Sequence, residues 1–156
     1  MAQNVFDKFD KAEAVERAAG RLYRQLARRF DKESATAKTF LELAAEEDQH
    51  ALRVRMLRDR YSQKPSASGD IALDLPAMEA ILAEAALLEE LFAREPFTIS
   101  VEEATRFMVQ IEDRFSEAHA HAMASASSPE IRAFFEMLSK QDAAHARVLA
   151  GLGKGS

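Results

Sequence analysis

Four stretches of this chain read as amphipathic helices, and in each one an acid interrupts the apolar stripe at about mid-height. Counted in alternating steps of three and four, the stripe of residues 40–57 runs Phe40, Leu43, Glu47, His50, Val54, Leu57. An earlier stripe runs Phe9, Ala12, Glu16, Ala19, Tyr23, Leu26, Phe30, and a late one runs Ile131, Phe135, Leu138, Asp142, His145, Leu149, Leu152. Ile111, Glu112, Phe115 and His119 continue the theme in a fourth stretch. Few folds tolerate acids on the faces that must be buried. A carboxylate costs several kcal/mol to take out of water, and like charges in one layer add to that.

The four stretches are related in pairs. Phe40, Leu43, Glu47 and His50 align with Phe135, Leu138, Asp142 and His145, while "VERAAGRLY" at 15–23 aligns with "IEDRFSEAH" at 111–119, matching Glu16 to Glu112 and Tyr23 to His119. The separations agree too, 31 residues from Glu16 to Glu47 and 30 from Glu112 to Asp142. A duplicated helical hairpin accounts for both observations.

Local signals set the boundaries. A first helix is expected over about 5–30, and "DKES", with Asp31 and Ser34 as caps, leads into a second over about 35–61. "SQKPSASGD" at 62–70 breaks the period and reads as a linker. Asp74 and Pro76 then open a shorter helix at about 75–93, either a lid on the bundle or a contact surface. Ser100 and Glu103 form a capping box for a third long helix to about 126; Ser128 and Pro129 open a fourth, ending near Gly151. The expected fold is all-α: a four-helix bundle in a single domain over 1–156, with hairpins at about 5–61 and 100–152 and a crossover at 62–99.

Composition narrows the chemistry. The chain has no cysteine, so thiolate metal sites and iron–sulfur clusters within it are excluded. A formal charge of −5, spread along the sequence, argues against a nucleic-acid surface, and "RQLARR" at 24–29 reads as a solvated helix face. No window is apolar enough to span a bilayer and the N-terminus lacks a signal-peptide pattern, so a cytoplasmic protein without membrane association is expected.

Stacked in a bundle, Glu16, Glu47, Glu112, Asp142, His50 and His145 meet in one layer, each His one turn after its acid on the same face. Four carboxylates beside two neutral imidazoles are balanced by two divalent cations. Oxygen-rich ligation with one imidazole per metal suits iron or manganese better than metals that prefer soft ligands. Asp113 and Glu117 compete with Glu112, but only Glu112 keeps the alignment with Glu16. Glu42, Glu46, Asp48 and Glu136 fall off the stripe and read as exposed, as do His121 and the acids Glu79, Glu84, Glu89 and Glu90. Tyr23 and His119 stand two turns, roughly 10 Å, from their own acids. Each either packs in the core or hydrogen-bonds a carboxylate from the facing helix.

Two Glu-x-x-His-type pairs on duplicated hairpins, with two further acids in register, resemble the pattern of ferritin-like di-iron carboxylate proteins, whose ligand arrangement is a general one for such bundles. The chain is most similar to the rubrerythrin-like branch, over about 5–60 and 100–152. The resemblance implies carboxylate ligands at Glu16, Glu47, Glu112 and Asp142, with Glu47 and Asp142 bridging, and His50 and His145 each on one of two metal ions. Iron is the implied metal, with manganese or zinc as alternatives. It also implies an oxidoreductase of peroxidase or ferroxidase type, acting on peroxide or dioxygen with electrons from a separate donor, and a homodimer as a common assembly. A non-catalytic metal-sequestering protein would use the same residues. The chain departs from the pattern at Asp142, one methylene shorter than the usual Glu, and at Phe115, where rubrerythrins carry an extra carboxylate.

Overall fold

The computed structural model of the chain describes residues 5–63 and 74–154, and every element in them is helical: α1 Val5–Ala27, α2 Ala35–Ser62, α3 Leu75–Ala93, α4 Val101–Ser125 and α5 Pro129–Lys154. Helices α1 and α2 pack together as one hairpin and α4 and α5 as the other, while α2 meets α5 across the bundle. The all-α four-helix architecture with a shorter extra helix is thus as expected. The linker expected at 62–70 lies outside the described residues from position 64 onward.

The caps explain where the helices begin. Ser34 accepts from the Ala37 amide at the start of α2, and Asp74 does the same from Ala77 for α3, with Pro76 in the first turn where no amide donor is needed. At α4 the Ser100 hydroxyl accepts from the Glu103 amide while the Glu103 carboxylate accepts from the Ser100 amide, so the capping box is complete. Helix α1 stops at Ala27 rather than Phe30, because the chain tightens there: the Arg29 and Phe30 amides turn to carbonyls three residues back. Helix α5 runs through Gly151 to Lys154. A Cβ at Gly151 would meet nothing, so no close approach or turn requires glycine there.

The stripes read from the sequence are the buried faces. Phe9, Leu22, Leu26, Phe40, Phe135 and Leu138 are fully buried; burial of side chains of this size contributes about 1.5–3 kcal/mol each relative to leaving them exposed. Helix α3 buries Met78, Ile81, Ala85, Leu88 and Phe92, mostly against α1, and leaves Leu87 outside. Two of its acids are not simply solvated. Glu89 pairs with Arg21 of α1 at 2.7 Å and Glu84 pairs with Arg114 of α4, both partly shielded, which ties α3 to the two halves. Nor is all of "RQLARR" a free face: Arg29 donates to the Phe92 and Arg94 carbonyls at the end of α3 and lies over the Phe97 ring. Those carbonyls have no partner within α3, so a cation from the turn after α1 closes its C-terminus. Among the described residues no helix is long and apolar enough to cross a membrane.

Ser100→Ala removes the capping acceptor at α4 and should lower stability by about 1 kcal/mol. Urea unfolding followed by circular dichroism measures it; an unchanged midpoint would show that the capping box contributes nothing.

Candidate metal centre

Glu16 of α1, Glu47 of α2, Glu112 of α4 and Asp142 of α5 are all completely buried at 0% exposure, with His50 and His145 at 2% and 3%. The structure brings all six together. Glu16, Glu47, His50 and Asp142 each offer a ligand-type atom within 4.8 Å of the others', and so do Glu47, Glu112, Asp142 and His145. Glu47 and Asp142 belong to both sets. Asp113 and Glu117, the competitors of Glu112, face solvent.

Both histidines turn Nδ1 to the acids. His50 Nδ1 is 3.1 Å from Glu47 Oε2 and 3.6 Å from Glu16 Oε2, and His145 Nδ1 is 2.9 Å from Glu47 Oε1 and 3.3 Å from Glu112 Oε1. Their rings lie nearly parallel, 5.5 Å apart between centroids. On the outer side, His145 Nε2 is 2.6 Å from Glu46 Oε2. Glu46 is exposed as its place off the stripe implies, but it also reaches across from α2 to hold the ring of an α5 residue, which the stripe alone does not disclose. A signal for it does exist in the sequence. Glu46 precedes Glu47, and the matching position before Asp142 is Gln141, another long polar side chain.

Tyr23 and His119 bond acids from other helices. The Tyr23 hydroxyl donates to Glu112 Oε1, and His119 Nδ1 lies 2.5 Å from Asp142 Oδ2. His119 Nε2 is also 3.1 Å from Glu16 Oε1, off the line of a hydrogen bond. Phe135 stacks on His119 at 5.9 Å and Phe115 meets it edge-on at 6.3 Å, so an apolar wall backs the cluster. His121 is exposed and takes no part.

With protons as the only counter-charges, the cluster distorts its own titrations. Burial acts against imidazolium, yet the hydrogen bond to Asp142 and the adjacent Glu16 carboxylate raise His119 to about 10, and bonds to Glu112 and Glu47 raise His145 to about 11. His50 is raised as well; Glu16 outweighs burial there. Among the acids, burial and the neighbouring Glu112 and Glu16 push Glu47 well above the usual carboxylate range, and burial lifts Asp142 to about 6. Burial would raise Glu16 too, but the His119 and His50 rings beside it prevail and hold it far below.

Protons do not satisfy the layer. Both oxygens of Glu16, Oε2 of Glu112 and Oδ1 of Asp142 are buried with no aligned donor. Buried acceptors of this kind are rare and costly, and four in one place fit a set of hard oxygen donors facing cations. The residues present therefore suit divalent metal ions.

The signs of these shifts fix a pH dependence for the metal-free protein. A histidine raised on folding stabilises fully below its ordinary value of 6.5, and that contribution is lost as pH rises through the folded value, about 10 for His119 and 11 for His145. Raised Glu47 and Asp142 act in the same direction. Chelator-treated protein should therefore lose stability steadily from about pH 6.5 to 10 in denaturant titrations; stability that climbs across that window would contradict the proton-sharing arrangement.

Comparison with curated proteins and with solved structures gave no significant match. The family model described as Rubrerythrin matches residues 7–153, nearly the whole chain. With the duplicated hairpins and their buried acids, that match places the chain in the rubrerythrin family, within the ferritin-like di-iron carboxylate superfamily.

Proposed function

We propose that the chain holds two metal ions, iron in the first place, and reduces peroxide or dioxygen with electrons from a separate donor. The observation that carries this reading is the set of four fully buried carboxylates, three of them with oxygens that lack donors, which gather around two imidazole Nδ1 atoms. Glu16 and His50 would hold one ion and Glu112 and His145 the other, with Glu47 and Asp142 shared, since only these two belong to both groups. A bound ferrous pair supplies the two electrons needed to take hydrogen peroxide, with two protons, to two waters.

The chain's own residues set the conditions for that chemistry. Tyr23 orients Glu112 of the other hairpin through its hydroxyl, and His119 braces Asp142 within its own. Asp142 lacks one methylene of the family's glutamate, yet its carboxylate stays within the layer. Phe40, Phe115 and Phe135, fully or almost fully buried, keep the layer dry and deny the oxidant a polar bystander. With no cysteine in the sequence to store or relay electrons, the reductant is a second molecule.

Metal-stripped protein loaded anaerobically with ferrous ion should take up about two ions per chain and consume hydrogen peroxide steadily when given a chemical reductant. Glu47→Ala removes the shared carboxylate and should retain at most one ion, with turnover lost; His145→Ala should lose the ion that Glu112 also holds. Elemental analysis and peroxide assay decide between outcomes. Wild type without metal after loading would refute the centre, and full loading without turnover on peroxide or dioxygen would leave a metal-sequestering protein.

A further inference from the structure

The two halves of the centre differ in what stands behind their histidines. The residue before the α2 acid, Glu46, reaches the α5 histidine, and the residue before the α5 acid is Gln141. The duplication thus puts a long polar side chain before each acid, but one is a carboxylate and the other a neutral amide. Glu46 Oε2 is 2.6 Å from His145 Nε2, while Gln141 Oε1 has no aligned donor.

A carboxylate only accepts, so the Nε2 of a neutral His145 must carry the ring proton, and the Nδ1 lone pair is left facing Glu47 and Glu112. An amide can either donate or accept, so Gln141 does not select a tautomer for His50. The negative charge behind His145 also makes the ring a stronger electron donor, an effect the amide cannot match. Among the described residues no lysine or arginine pairs with Glu46, so its charge is directed at the imidazole.

We propose that Glu46 is a positioning residue that makes the two metal positions unequal, so that the position built on His145 binds a divalent ion more tightly than the one built on His50. The proposal rests on the reading of the cluster as a two-metal centre. It assigns to an exposed, off-stripe glutamate the order in which that centre fills.

Cobalt(II) is a suitable probe, because its visible absorption reports coordination independently of turnover. Titration of metal-stripped protein should show two resolved binding steps in wild type. Glu46→Gln should weaken the tighter step by about tenfold or more, the usual cost of losing such a partner, and draw the two steps together. Gln141→Glu should tighten the weaker step. A double-mutant comparison places the effect: Glu46→Gln should still weaken the ion retained by His50→Ala, but should leave the ion retained by His145→Ala unchanged. Equal steps in wild type, or a Glu46→Gln titration identical to wild type with helix content unchanged, would overturn the proposal and leave the two-metal centre standing. Wild type that binds no cobalt would instead overturn the centre itself.

Discussion

Four carboxylates with no exposure at all, in one layer of a helical bundle, are the constraint to which the rest of this structure answers. Left ionised and alone they would repel one another in a medium that cannot screen them. Two kinds of cation are available. Imidazolium protons are one, and they leave Glu16, Glu112 and Asp142 with oxygens that accept nothing. Metal ions are the other, able to meet several oxygens at once. The surrounding phenylalanines raise the stakes in either case, since an apolar wall strengthens every attraction and every repulsion inside it.

The hairpin duplication is what makes such a layer buildable. One hairpin supplies two acids and a histidine, too few to enclose a pair of ions. Two hairpins in facing arrangement supply twice that, and contacts run between them: Tyr23 of α1 holds Glu112 of α4, Glu46 of α2 holds His145 of α5, and His119 of α4, which holds Asp142 of its own hairpin, approaches Glu16 of α1. Few of these bonds run between neighbours in sequence. They join the halves at the level where charge would otherwise drive the halves apart, so the site and the packing of the bundle depend on each other.

Much of this was legible in the sequence because helical periodicity acts on one helix at a time. Steps of three and four placed Glu16, Glu47, Glu112 and Asp142 inward, and the capping residues at 34, 74 and 100 marked helix starts that the structure reproduces. What stayed hidden belongs to contacts between helices. Glu46 is exposed by its own helix's period, and nothing in that period says that its carboxylate reaches His145. Arg29 sits in a basic run that reads as solvated, and only the placement of the α3 C-terminus gives its guanidinium carbonyls to bind. The ends of α1 and α5 differed from expectation by about one turn for the usual reason, that hydrogen bonding at helix ends is a local competition which the apolar stripe does not decide.

Two of the departures from two-fold repetition meet each other in the layer. The second half carries Asp142 where the first carries Glu47, and His119 where the first carries Tyr23. These two changes are physically linked. A carboxylate shortened by one methylene reaches less far from α5, and an imidazole, unlike a phenol, has two nitrogens with which to meet acids on both of its edges. His119 lies 2.5 Å from Asp142 with one nitrogen and 3.1 Å from Glu16 with the other. A tyrosine there could approach one of those acids only. The shorter acid and the two-edged ring thus form a compensating pair: what Asp142 loses in reach, His119 recovers as a brace between α1 and α5, and the layer stays closed despite its broken symmetry.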